Sequence, residues 1–190
     1  MKLTDAFNEV VNNPLNEAKR DYGCVMLYFP VSDEFWDKIQ GRIDDEDISS
    51  DKDEDGKEKN GRQPANEAHV TLLYGIHADV TDEDVEAIIN QIGKMDLTLR
   101  KISMFENDEF DVLKFDVEGD GLFEYNKKFR ELPHTTNFPD YHPHLTIAYM
   151  NKGTITDEIQ KDLSKDETLT VQANKVVYSK PDGSKKNYEL

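Results

Sequence analysis

Two stretches of the chain share one pattern: His69-Val70-Thr71-Leu72-Leu73-Tyr74 and His144-Leu145-Thr146-Ile147-Ala148-Tyr149. Successive side chains of a β-strand point to opposite faces, so each histidine shares a face with the threonine two places on. Val70 and Leu72, like Leu145 and Ile147, fall on the other face, which can rest on a core. Continued alternation puts Tyr74 and Tyr149 on that apolar side too. If the two strands meet around a cleft, two imidazoles and two hydroxyls converge. Imidazole is the side chain most easily divided between base and acid near neutral pH. Breaking a phosphodiester by internal attack needs both roles at once. One group takes the proton of the attacking hydroxyl and another protonates the leaving oxygen, on opposite sides of the phosphorus. Thr71 and Thr146 suit the non-bridging oxygens, whose charge grows in the transition state. A lone His-x-Thr in a strand is most often structural; two copies with the same aliphatic-and-tyrosine extension point to a site. Which histidine is base and which is acid stays open.

The elements that must position these residues follow from periodicity and caps. An amphipathic helix is expected over 4–18, with Thr4 as cap and Pro14 near its end. Tyr22 to Phe29 reads as a strand. Ser32 caps a short helix carrying Phe35, Trp36 and Ile39. After the His69 strand, Thr81 caps a helix with Val85, Ile88, Ile89 and Ile92 inward. Strands are expected over 96–105 and 111–118, then a helix over 122–132, a loop over 133–140 and the His144 strand. A short helix over 155–163 precedes two closing strands, Leu169 to Tyr178 and Lys186 to Leu190, with a turn at Pro181-Asp182-Gly183. Each His strand follows a strand-helix unit, so two similar lobes with a rough two-fold are expected. His69 and His144 would then sit on adjacent central strands of one groove.

Composition sets limits. The 190 residues are enough for one domain, 1–190, built of two intimately packed lobes. Charged residues make up 33% of the chain and apolar ones only 36%, which points to a local charged insert. That insert is 43–68, where Asp44-Asp45-Glu46-Asp47 and Asp53-Glu54-Asp55 crowd a stretch poor in large apolar side chains; a flexible segment is expected. The run from Asp51 imitates the opening of an EF-hand loop but puts Arg62 where a bidentate Glu is required, so neither metal nor other cofactor is expected. A formal charge of −17 argues against a long DNA or RNA track while leaving room for a small nucleotide in a focused pocket. No apolar run is long enough for a membrane span and the start lacks a signal-peptide pattern, so a cytoplasmic protein is expected. Cys24, alone in its type, reads as a buried bystander.

With both motifs intact, the sequence resembles the 2H phosphoesterase superfamily, named for two His-x-Thr/Ser motifs. The resemblance implies an α+β bilobal fold with two mainly antiparallel sheets around a central groove and helices outside. It also implies metal-independent chemistry at 2′-hydroxyls or 2′,3′-cyclic phosphates. The segments Phe105-Glu106-Asn107-Asp108-Glu109-Phe110-Asp111-Val112-Leu113-Lys114-Phe115 and Tyr141-His142-Pro143-His144 resemble the phage branch that includes the anti-CBASS nuclease. That closer resemblance implies cleavage of cyclic di- and trinucleotide immune signals in the host bacterial cytoplasm. The rival readings are an RNA-end enzyme, opening 2′,3′-cyclic phosphates or acting on 2′-5′ linkages, and a sponge that binds a nucleotide without cutting it. Tyr22, Tyr28, Phe105 and Tyr141 are candidates for stacking a base. Lys114 can bring positive charge to the groove, and His142 can touch a ligand at its rim. His77 and His134 are weaker candidates, and Trp36 reads as core.

Overall fold

A computed structural model describes residues 22–52, 58–156, 160, 161, 163 and 168–190, with only the backbone of 50–52 and 58–60. The helix expected over 4–18 lies outside the described residues, as does most of the one over 155–163. In chain order come β1 (Gly23–Tyr28), α1 (Asp33–Gln40), β2 (Ser50–Lys52), β3 (Glu58–Asn60) and β4 (His69–Ile76). Next are α2 (Asp82–Ile89), β5 (Asp96–Glu106), β6 (Phe110–Gly119), α3 (Leu122–Phe129) and β7 (His144–Asn151). The chain closes with β8 (Leu169–Gln172), β9 (Lys175–Ser179) and β10 (Lys185–Glu189). The caps act as their residue types require: Ser32 Oγ accepts from Phe35 N, and Thr81 Oγ1 from Asp84 N.

Two four-stranded antiparallel sheets result, ordered β10-β9-β1-β4 and β7-β6-β5-β8, with helices packed outside. This is the α+β two-sheet architecture expected. Val25, Leu27, Val70 and Leu72 of the first sheet join Leu97, Leu113, Phe115 and Ile147 of the second in one core. Two expectations need correction. The histidine strands β4 and β7 are not central: each is the edge of its own sheet, and the two edges approach one another. The segment read as one strand from Leu169 to Tyr178 is two. β8 pairs with β5, the chain crosses at Ala173-Asn174, and β9 pairs with β1. The crossing is fixed by bonds from Ala173 N to Met95 O (2.8 Å) and from Asn174 N to Tyr28 O (3.0 Å). Among the described residues no helix is long and apolar enough to cross a membrane.

The two-fold relation goes deeper than strand order. The helix that follows the ladder partner of each motif strand, α1 after β1 and α3 after β6, leaves for the other sheet: Phe35 of α1 stacks on Phe115 of β6, while α3 packs on β4. Each exposed edge is also covered by the loop that precedes the other motif. Residues 133–135 bond to β4 through Thr135 N to Gly75 O and His77 N to Pro133 O. The ends of the acidic stretch bond to β7 in the same way, through Ser49 N to Tyr149 O, Tyr149 N to Gly61 O and Gln63 N to Ile147 O. Those ends therefore have a definite course. Ile43 and Ile48 are buried, and Arg62 donates to the carbonyls of Gln40 and Ile43 and to Asp45. Close approach explains two glycines. A Cβ on Gly75, whose φ is +102°, would stand 1.8 Å from Thr135 O, and one on Gly61 would stand 2.6 Å from Tyr149 O.

Candidate active site

Strand pairing places the first motif. On the groove face of the first sheet, His69 stands opposite Tyr28 and Thr71 opposite Met26. In the second sheet His144 stands opposite Asp116, and Thr146 opposite Lys114. All four motif residues are half-buried, while Val70, Leu72, Leu145 and Ile147 are buried behind them. The faces run as alternation dictates up to the threonine. Beyond it both strands carry the same irregularity: Leu72 and Ile147 are extra residues, unopposed in the ladders with β1 and β6. The bulge turns two consecutive residues inward, Leu72-Leu73 and Ile147-Ala148, and flips the tyrosine that follows. Tyr74 and Tyr149 therefore lie on the histidine face, contrary to the alternation reading. Tyr74 packs beside Cys24, Met26 and Val177, and Tyr149 is hydrogen-bonded to the hydroxyl of Thr146.

The two imidazoles are held alike. Nδ1 of His69 lies 2.6 Å from Glu67 O, and Nδ1 of His144 lies 2.8 Å from His142 O. A carbonyl only accepts, so each Nδ1 carries the hydrogen and each Nε2 is left to exchange a proton in the groove. Burial lowers the pKa of both rings, that of His144 to about 4. For His144 the nearby charges of Lys114 and His69 push further down, against the His142 carbonyl and Asp116. His69 is thus close enough for its charge to be felt at His144. Both rings are neutral at physiological pH, with Nε2 as acceptor.

The remaining predicted residues divide into those that hold the rings and those at the rim. Tyr28 stacks on His69 (5.0 Å between centroids, 24° between planes), with Lys175 Nζ over the Tyr28 ring at 4.8 Å. Phe105 meets His144 edge to face (4.9 Å, 90°), with Lys114 Nζ over the Phe105 ring at 4.2 Å. Each histidine thus has an aromatic neighbour that itself carries a lysine. Tyr28 and Phe105 support the imidazoles, a use the base-stacking expectation did not include. Lys114 is only 4% exposed and is no open cation: it donates to Ser103 Oγ (2.7 Å) and to Asp116. Burial raises the Asp116 carboxyl, but the bonds from Lys114 and Ser103 more than offset this and hold it below the usual range. Tyr141 does not present itself as a platform; its hydroxyl donates to Thr71 O (3.0 Å) and its ring meets Phe123 edge on. His142 is exposed beside Phe105 and supplies the carbonyl that orients His144. Tyr22 lies at the far end of the first sheet's face against Tyr74 and His77, and His77 Nε2 bonds Thr135 Oγ1 (2.8 Å). His134 instead bridges to Ile76 along the β4 edge and bonds Leu132 O.

Asp116, Ser103 and Lys175 join the site without being singled out by the sequence pattern. Asp116 had a signal, since it shares the Lys114 face of an alternating strand. Ser103 and Lys175 had none, because only the pairing of β5 with β6 and of β9 with β1 brings them in.

The family model for the 2′-5′ RNA ligase superfamily matches residues 31–185. The chain belongs to that superfamily. Solved structures with the fold of this superfamily member include Usb1 from Kluyveromyces marxianus, at TM-score 0.54 and 11% identity, over 90% of this chain and 99% of that one. The same protein with uridine monophosphate matches at 0.54 and 9%, with the same coverage. LigT from E. coli in complex with 3′-AMP matches at 0.52 and 14%, over 90% of this chain and 95% of that one. Identities this low speak for the fold alone. No curated protein matches the sequence. For a phosphoesterase and ligase superfamily, the acid-base kit described above is chemically apt.

Proposed function

We propose that this chain is an RNA-end phosphodiesterase that works through His69 and His144 without a metal. Its substrates join a phosphate to a 2′-oxygen, either in the ground state, as in a 2′,3′-cyclic phosphate or a 2′-5′ linkage, or during internal attack by a 2′-hydroxyl. The observation that carries this reading is the matched tethering of the two imidazoles, each with Nδ1 bound to a carbonyl and Nε2 left for the groove. One Nε2 takes a proton from the attacking hydroxyl or water; the other ring, neutral in the empty groove, gains a proton at Nε2 as the phosphate anion binds beside it and gives that proton to the leaving oxygen. Thr71 and Thr146 hold the non-bridging oxygens as negative charge grows there. Two structural relatives hold mononucleotides, uridine monophosphate and 3′-AMP, which favours a strand end over a macrocycle. The charge of −17 favours a short end over a long RNA. Cleavage of cyclic di- or trinucleotides, and the phage role attached to it, enter as an arm of the same experiment.

The test is a product assay in EDTA on five ribonucleotide substrates. They are an oligomer ending in a 2′,3′-cyclic phosphate, one with a plain 3′ end, a 2′-5′ dinucleotide, and cyclic di- and trinucleotides. The expected result is turnover of an end substrate, abolished in H69A and H144A. Turnover of the cyclic substrates alone would transfer the reading to immune signals. Binding of a nucleotide with no turnover of any substrate would replace the enzyme with a sponge.

A further inference from the structure

The two bulges share a feature the mechanism above does not use. The carbonyl of the extra residue, fourth in each motif copy, is taken by a side-chain amide from a helix of the opposite lobe. Asn126 Nδ2 of α3, which follows β6 of the second sheet, donates to Leu72 O in the first sheet at 2.6 Å. Gln40 Nε2 of α1, which follows β1 of the first sheet, donates to Ile147 O in the second at 3.1 Å, beside the backbone bond that the same carbonyl accepts from Gln63 N at 3.0 Å. Asn126 is 6% exposed, buried among apolar neighbours where an unmatched amide would be costly. Gln40 also donates to Gln63 O (2.7 Å), the carbonyl that accepts from Trp36 Nε1 (2.6 Å), so its amide is fixed on two sides.

We infer that Asn126 and Gln40 are positioning residues that set the spacing of the two imidazoles by clamping each motif strand from the other lobe. An extra residue leaves a ladder irregular, and it persists only where the displaced polar groups find partners. Each clamp stands three residues beyond its histidine and one beyond its threonine. The strand segment that carries both groups is therefore pinned at its far end, as the carbonyl bond to Nδ1 pins it at the near end. Because the pins come from opposite lobes, each fixes one motif relative to the body that carries the other. Without Asn126 the bulge at Leu72 relaxes toward regular pairing, and without Gln40 the bulge at Ile147 is left to the bond from Gln63 N alone, so Thr71 or Thr146 turns away from the phosphate. Displacements of about 1 Å at such a site can cost on the order of 10²-fold in rate.

The inference rests on the acid-base reading for its kinetic arm only. The variants are Q40M and N126L, which keep the volume and remove the donor, with N126S as a milder change should N126L not fold. Backbone amide spectra of the protein alone form the first arm. Q40M is expected to shift Thr146 to Tyr149 in the opposite lobe, and N126L or N126S to shift Thr71 to Tyr74. Shifts confined to α1 or α3 would overturn the inference whatever the enzyme acts on. The second arm is steady-state kinetics on the substrate found above, well below the melting temperature. Each variant should lose about tenfold or more in kcat with KM within about twofold. A lower melting temperature with kcat unchanged would reduce both amides to stability alone and refute the positioning role.

Discussion

Replacing Lys114 by methionine keeps the buried stem and removes a charge beside His144. Phe105 bridges the two: its centroid is 4.2 Å from Lys114 Nζ and 4.9 Å from the His144 centroid, so the charges lie within about 9 Å. At an effective dielectric constant of about 20, like charges at about 9 Å repel by about 1.8 kcal/mol, slightly more than one pKa unit. Burial, the larger cause of the depression, is unaffected. K114M should therefore raise His144 from about 4 to about 5 and leave it below the ordinary histidine value. A histidine-selective NMR titration reads this without substrate, and His69 serves as internal control. In kinetics, the acidic limb of kcat/KM should move up by about one pH unit if it reports the neutral form of His144. Asp116 opposes the lysine, so D116N should move His144 the other way. A His144 titration that stays put or moves down in K114M would refute the argument. The Lys114 charge would then be fully neutralised by Asp116 as seen from the ring.

Alanine at His69 or His144 should each lower kcat by about 10²- to 10⁴-fold, while nucleotide binding measured by calorimetry survives. Folding lowers the proton affinity of both imidazoles, so the unfolded chain binds more protons between about 6.5 and about 4. Stability should therefore fall as pH drops through that window, and melting curves of the H69A/H144A double variant should fall less steeply there. Y141F removes the bond to Thr71 O and should cost about 0.5–1.5 kcal/mol in chemical denaturation. G75A forces a Cβ onto Thr135 O from a left-handed backbone and should cost at least about 1–3 kcal/mol, read as a lower melting temperature. Backbone relaxation across the acidic stretch should show rigid amides at Ser49 and Gln63, whose bonds to β7 anchor it; uniformly fast motion from 44 to 66 would refute that anchoring.

Much of the site was legible because the histidine, the threonine and the apolar residues between them obey one short-range rule, alternation. The strands and helices around them were legible for similar reasons: Ser32 and Thr81 announce helix starts, and Val112 to Val117 alternate cleanly. What failed was everything decided by partners distant in sequence. The bulges invert Tyr74 and Tyr149, and their trace is the apolar pairs Leu72-Leu73 and Ile147-Ala148, which a strand facing water on one side does not need. The break between β8 and β9 falls at Ala173-Asn174 inside a run of β-formers, where only the choice of neighbouring strand separates the halves. In the acidic stretch, charge density hid Ile43 and Ile48, two isolated side chains whose burial ties the segment to the core. Tyr28 and Phe105 were found as aromatics near the site, but composition does not say whether a ring faces a base or a histidine.

The exchange of helices between the sheets has a consequence for how this chain can be cut or built. A fragment carrying β1, α1 and β4 would own a sheet edge whose covering helix and covering loop are both encoded downstream, and it would carry a helix with nothing to cover. The fragment of β6, α3 and β7 has the mirror-image lack, its covering helix and loop lying upstream. Neither half is a module, although each repeats the other's plan. Each half hands its helix and its covering loop to the other. Copies of one half should pair only by trading again, and a gene split between the motifs should regain its fold only when both pieces are made together.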